Sequence, residues 1–246
     1  MPFDMKIDLP ISFTHRLDNR LVANKLDQNQ TKVVQNLKEL LHKIKNGLAT
    51  LADEDDACTN PECAYEFARA VKGANIAKCE EAACKDPEWA FAFACDIEGA
   101  NIEKCQEAAC KDPWCAFEFA RCIKVANIEK CQEAACKDPI WAHAFAYDIE
   151  GANIEKCCEA ACKHPYWAYE FANKIKGANI EKCQEEACKD PKCAYYFTLY
   201  VKGANIEKCQ EAACKEPAWA YYFAHYVQGA NIERCRKACE GTKYAF

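Results

Sequence analysis

Long apolar runs are missing from this chain: no stretch approaches the ~18 residues that a membrane-spanning helix needs. An excess of basic charge is missing too. With a net charge of −6 and a pI near 5.5, nothing here neutralises a row of phosphates, so nucleic acid is not an expected partner. The start, "MPFDMKIDLPISF", lacks the basic end, apolar core and cleavage site of a secretory signal. Catalytic constellations are absent as well: there is no GxSxG, P-loop, GxGxxG, HExxH or CxxCH motif. His15, His42, His143, His164 and His225 share no recurring spacing with cysteines or carboxylates. Glu103 and Glu107 recur on what reads as a solvated face. The run Asp53-Glu54-Asp55-Asp56 has no spaced ligand pattern around it and reads as a solvated turn or helix end. These absences predict a protein that is not an enzyme, with no cofactor, no small-molecule substrate and no membrane span.

What is present is cysteine, 21 in 246 residues, a density seen mainly in oxidised chains. That sits awkwardly with the missing signal. Either a signal has been removed, or oxidation takes another route, or reduced thiols hold metal.

The cysteines belong to a repeat. Seven copies of 26 residues fill 60–241, and the second reads "DPEWAFAFACDIEGANIEKCQEAACK". Asp86 is a natural N-cap with Pro87 at the first helical position, where a missing N–H costs nothing. Trp89, Ala90, Phe93, Ala94 and Ile97 form one apolar face. Gly99 stops this helix and Asn101 caps the next, "IEKCQEAACK". Helices this short are marginal alone, so the copies are expected to stack as an α-solenoid. Residues 34–59 continue the frame in degenerate form, with Leu37, Leu41, Gly47 and Cys58 in the repeat positions, and read as an N-terminal capping repeat. The tail, 242–246, departs from the frame. Val125 replaces the helix-stop glycine of the other copies; a β-branched residue there is expected to strain the turn or force a different one.

Each copy carries two cysteines five positions apart. On a helix such residues point about 140° away from each other, and their Cα atoms lie near or beyond the ~7 Å limit for a disulfide. The chain ends indicate the pairing instead. The cap has a second cysteine, Cys58, but no first; the last copy has a first, Cys235, but Glu240 where the second belongs. Joining the second cysteine of one copy to the first of the next leaves neither over. The expected disulfide ladder is Cys58–Cys79, Cys84–Cys105, Cys110–Cys131, Cys136–Cys157, Cys162–Cys183, Cys188–Cys209 and Cys214–Cys235. Each rung is worth roughly 3 kcal/mol by loop entropy.

Two other readings stay open: the cysteines as small buried hydrophobes, or as a thiol store for soft metals such as Cu(I) or a redox buffer. No residue is assigned as a metal ligand, and zinc-type CxxC pairs are absent. Seven cysteines fall outside the ladder. Cys63, Cys115 and Cys193 replace the Trp of the first helix and read as buried free thiols. Cys95 and Cys122, on neighbouring first helices, leave an eighth bridge open. Cys158, adjacent to Cys157, makes that rung ambiguous, and Cys239 lies near the end.

Second helices hardly change between copies. First helices vary at their third, seventh, tenth and eleventh positions, which share one face. That face begins with Glu62, Glu66, Arg69, Glu88, Ala92 and Cys95, and ends with Lys192, Tyr196, Leu199, Tyr200, Ala218, Tyr222, His225 and Tyr226. Solenoids use such faces for recognition, and Tyr196, Tyr200, Tyr222 and Tyr226 are the expected protein-binding anchors; unconstrained drift is the alternative. The sixth-position series Tyr65, Phe91, Phe117, His143, Tyr169, Tyr195 and Tyr221 is expected to pack between copies. Near the N-terminus, Ile7, Leu9, Ile11 and Phe13 alternate with polar residues over 3–13, a half-buried strand pattern. Pro10 confines such a strand to a sheet edge. It is expected either to pair with another chain, by adding to a sheet edge or by self-association, or to lie along the solenoid as an extended arm. Residues 17–33 look weakly helical.

"DPEWAFAFACDIEGANIEK" and "HPYWAYEFANKIKGANIEK" resemble short tandem repeats of uncharacterised bacterial and phage proteins, with the pattern D-P-x-W/Y-A-x-x-F-A-x-x-I/V-x-G-A-N-I. The resemblance covers 60–235 and brings no function with it. That family has aliphatic residues where this chain has its ladder cysteines, which implies a disulfide-reinforced branch. The expectation is therefore an all-α, right-handed solenoid of two helices per repeat, stapled by inter-repeat disulfides and preceded by a non-repeat arm, 1–33. Its role is read as structural or protein-binding, in an extracellular, periplasmic or virion setting.

Overall fold

Two capping signals per copy divide each unit into two helices. In the computed structural model, which describes residues 28–246, the first helices are α3 (Pro61–Ala70), α5 (Pro87–Asp96), α7 (Pro113–Cys122), α9 (Pro139–Asp148), α11 (Pro165–Lys174), α13 (Pro191–Tyr200) and α15 (Pro217–Tyr226). The second helices are α4 (Ile76–Ala83), α6 (Ile102–Ala109), α8 (Ile128–Ala135), α10 (Ile154–Ala161), α12 (Ile180–Ala187), α14 (Ile206–Ala213) and α16 (Ile232–Cys239). Before them stand α1 (Gln28–Lys45) and α2 (Glu54–Ala57), and no strand occurs among the described residues. The strand pattern of 3–13 lies outside the described residues. The expected boundary at 34 is crossed by α1, which begins six residues earlier.

The capping chemistry explains these boundaries. Asp86 accepts the N–H groups of Glu88 at 2.9 Å and Trp89 at 3.4 Å, with Pro87 leading the helix. Asn101 accepts the Lys104 N–H at 3.1 Å. Between them Gly99 takes φ +83°, a conformation that a Cβ makes costly. Val125 does not follow: among the described residues no non-glycine has positive φ. Its turn takes another backbone path and leaves the side chain 75% exposed.

Helices of eight to ten residues gain their stability from packing. One phenylalanine per copy (Phe67, Phe93, Phe119, Phe145, Phe171, Phe197, Phe223) is fully buried, worth about 1.5–3 kcal/mol each. Every first helix packs on its own second helix and on the next first helix, and every second helix meets the following first helix. This sequential packing is the expected solenoid. Sixth-position rings seat on the tryptophan of the next copy: Tyr65 on Trp89 at 5.4 Å, Phe117 on Trp141 at 5.7 Å, Tyr195 on Trp219 at 5.6 Å. Where cysteine has replaced that tryptophan the ring meets another aromatic, as in Phe91 with Phe119 and Tyr169 with Tyr196. At the C-terminal end Tyr244 and Phe246 pack over Tyr221 at 6.1 and 5.6 Å, covering the last copy.

Candidate functional site

The second helices form one edge of the stack, and their cysteines meet across each junction. The first cysteine of each copy is fully buried (Cys79, Cys105, Cys131, Cys157, Cys183, Cys209, Cys235). The second ends the preceding α-helix and is half-buried (Cys58, Cys84, Cys110, Cys136, Cys162, Cys188, Cys214). Their sulfurs approach in the seven expected combinations, each across 21 residues. The Sγ–Sγ distances are 3.8 Å for Cys58–Cys79, 3.8 for Cys84–Cys105, 3.9 for Cys110–Cys131 and 3.7 for Cys136–Cys157. They are 3.5 Å for Cys162–Cys183, 3.6 for Cys188–Cys209 and 3.7 for Cys214–Cys235. These are thiol contacts. The expected bonded ladder is not present in this structure: a disulfide requires about 2.05 Å, and here all 21 cysteines stand unbonded. Every cysteine pair stands next to its expected partner, but unbonded.

A second set of contacts, unforeseen in the sequence, runs beside the sulfurs. Gln106 donates its amide to the Asn127 carbonyl at 2.7 Å, accepts the Asn127 N–H at 3.0 Å, and donates to Cys131 Sγ at 3.2 Å. Gln132, Gln184 and Gln210 repeat this with Asn153, Asn205 and Asn231. Glu80 and Glu54 occupy the same column and accept the N–H groups of Asn101 at 2.5 Å and Asn75 at 2.7 Å. The side chain thus satisfies the backbone at the start of the next second helix, where orphan groups are costly when buried. Further out, lysines bridge to glutamates of the preceding copy, Lys182 to Glu159 at 2.9 Å and Lys208 to Glu185 at 3.3 Å. Part of the acidic run is drawn in: Asp55 pairs with Lys78, and Asp53 with Lys43 at 2.5 Å.

Contact between the sulfurs separates their acidities. At Cys84–Cys105, Cys110–Cys131 and Cys136–Cys157 the shared hydrogen bond lowers the half-exposed thiol and raises the buried one. The direction reverses at Cys188–Cys209, where Cys209 is lowered by its bond with Cys188 and also receives the Gln184 amide at 3.1 Å.

One junction differs. Between the fourth and fifth copies Cys158 stands in the glutamine column, 3.9 Å from Cys162 and 3.5 Å from Cys183. With Cys162–Cys183 at 3.5 Å, three sulfurs form a closed triangle. Hydrogen bonds with Cys162 and Cys183, then the Asn179 N–H and nearby Lys182, bring Cys158 down to about 3. The bond with Cys158 pushes Cys162 up to about 12 and raises Cys183 as well. The sequence left this rung ambiguous and assigned no metal ligand; the signal was cysteine in a column otherwise filled by Gln, Glu and, in the last copy, Arg236.

The remaining thiols divide by burial. Cys63, Cys115 and Cys193 are buried, and desolvation pushes Cys63 up to about 11 and Cys193 to about 12, as inert thiols should be. Cys95 and Cys122 are both exposed and unbonded. Cys239 is buried with its Sγ 3.3 Å from the Pro217 carbonyl. On the first-helix edge Tyr200 and Tyr226 are 56% and 64% exposed. Tyr196 stacks on Tyr200, and Tyr222 on Tyr226, both at 6.2 Å. The variable face is less open than expected at its seventh position: Glu66 and Glu118 are buried and paired with Arg69 at 2.6 Å and Arg121 at 2.5 Å. Among the described residues no helix is long and apolar enough to cross a membrane. Comparison with protein-family models, curated proteins and solved structures finds no match.

Proposed function

We propose that this chain is a non-catalytic scaffold whose junctions lock when the cysteine pairs oxidise, and whose first-helix edge engages another protein. The observation that carries it is the recurrence of one sulfur pair, at 3.5–3.9 Å, at every junction from the cap to the last copy. Closing a rung needs small side-chain rotations and loses two protons and two electrons to a disulfide-exchanging oxidant. A solenoid's weakness is unzipping from its ends, because each repeat touches only its neighbours. Seven bonds of roughly 3 kcal/mol each, less than additive, would remove that route. An oxidising setting (extracellular, periplasmic or virion) follows from this reading; kinship with uncharacterised bacterial and phage repeats is proposed separately, on the likeness of the repeat motif alone. Tyr196, Tyr200, Tyr222 and Tyr226 supply aromatic contact area on the last copies, and Ile7, Leu9, Ile11 and Phe13 a second surface for a partner or another copy. The thiol-store reading has specific support at one junction, where three sulfurs converge.

The test is denaturant unfolding of unreduced and fully reduced protein. The expected result is one cooperative transition that broadens and moves to lower denaturant on reduction. Identical curves in both states would contradict the locking role.

A further inference from the structure

Six of the seven junctions bring together two sulfurs and one glutamine or glutamate; the seventh brings together three sulfurs. We propose that Cys158, Cys162 and Cys183 form a discrete site for a single soft monovalent cation, Cu(I), held by three sulfurs. This deepens the thiol-store reading at one place and does not rest on oxidation of the ladder.

The geometry is close to a ligand set. A cation bonded to sulfur at ~2.3 Å in a trigonal plane needs sulfurs ~4.0 Å apart. The triangle here has edges of 3.5, 3.5 and 3.9 Å, so the side chains need only spread slightly. All three donors are soft, which suits Cu(I). Among the described residues no histidine or carboxylate joins the group to complete the tetrahedral shell that structural Zn²⁺ takes. Cys158 and Cys183 are buried, while half-exposed Cys162 gives an entry path. The Asn179 N–H, directed at Cys158, is the kind of outer contact that orients a thiolate ligand.

Packing alone does not account for cysteine at this position. At four other junctions the column residue is a glutamine whose amide donates to the next Asn carbonyl. Cys158 has no amide to offer Asn179, so this junction lacks the part-buried hydrogen bond that those four make. Binding displaces the S–H protons to solvent and changes no oxidation state. A disulfide between Cys162 and Cys183 and a bound cation exclude each other, so loading would keep this junction reduced.

The experiment is an anaerobic titration of the fully reduced, full-length chain with Cu(I) against a chromogenic Cu(I) chelator. Wild-type protein is expected to hold one equivalent at chelator concentrations that strip all others. Cys158→Gln installs the residue that the neighbouring junctions already carry, so its fold is preserved. It should weaken that equivalent by more than the ~100-fold that loss of an outer-shell contact can cost. Gln132→Cys, which sets a third sulfur beside Cys136 and Cys157, should add a second tight equivalent. Equal binding by wild type and Cys158→Gln, seven equivalents of like affinity, no gain in Gln132→Cys, or Zn²⁺ displacing Cu(I) would each overturn the site. A failed ladder would appear separately, as bonds missing from unreduced protein, and leaves this titration unaffected.

Discussion

The two edges of the solenoid solve the same stacking problem with different chemistry. On the second-helix edge each junction repeats one set of directional contacts: a cysteine pair, a glutamine or glutamate on the next Asn, and in most cases an outer lysine–glutamate bridge. On the first-helix edge the junctions are filled by rings that exchange freely, tyrosine, phenylalanine or histidine against tryptophan or another aromatic. Directional contacts tolerate few substitutes, so the second helices hardly vary from copy to copy. Aromatic packing needs volume and little more, so the first helices drift. Where the directional edge does change, at Cys158, the change makes new chemistry.

Substitutions at matched junctions sharpen this contrast. The largest effect is expected in the core that both edges share. Phe145→Ala should cost about 3–5 kcal/mol in thermal or denaturant unfolding, since Phe145 is fully buried. Next, Cys131→Ala should lower the stability of unreduced protein by roughly 3 kcal/mol and that of reduced protein by much less; equal losses in both states would mean that the rung contributes by packing alone.

The aromatic edge carries one polar intruder. His143 is buried with its ring 5.5 Å from that of Trp167, its Nε2 lacks a hydrogen-bond partner, and desolvation with nearby Lys174 lowers its pKa from 6.5 to about 4. Below pH 6.5 the unfolded chain binds a proton that the folded chain refuses until about pH 4. Stability is therefore lost as pH falls through that window, by up to about 3 kcal/mol. His143→Phe should flatten this part of the pH–stability curve, and an unchanged slope would place the acid sensitivity elsewhere. Gln132→Ala should cost about 1–3 kcal/mol by stranding the Asn153 backbone. Its exposed neighbour Lys130→Gln should change stability by no more than about 0.5 kcal/mol, despite its 3.7 Å bridge to Glu103. If the two substitutions cost the same, the amide bridge is not what sets this edge apart.

Much of the fold was legible because a 26-residue period repeats every signal seven times. Asp86, Pro87, Gly99 and Asn101 mark both helices of a copy, and the unmatched Cys58 and Cys235 at the chain ends identify which sulfurs meet. What escaped the sequence are contacts that a one-dimensional pattern does not carry. Gln106 sits in an outwardly polar helix and looks solvated; only stacking shows that it reaches a backbone 21 residues on. The meaning of Cys158 depends on that reach, since a third sulfur matters only where the column residue touches the next copy's cysteine. Glu66 stands on the face read as a recognition or solvent surface, yet it is buried and paired with Arg69 one turn away. The 3.5–3.9 Å sulfur spacing is likewise a three-dimensional fact: pairing follows from the register, bonding from the redox setting.

The most direct measurement is alkylation of unreduced, denatured protein with intact-mass counting of free thiols, followed by non-reducing peptide mapping. After treatment with a disulfide-exchanging oxidant, free thiols are expected at Cys63, Cys95, Cys115, Cys122, Cys158, Cys193 and Cys239, with the remaining cysteines joined in seven links such as Cys110–Cys131. Links inside a copy, such as Cys105–Cys110, or all 21 cysteines still alkylated after that oxidation, would contradict the locking role.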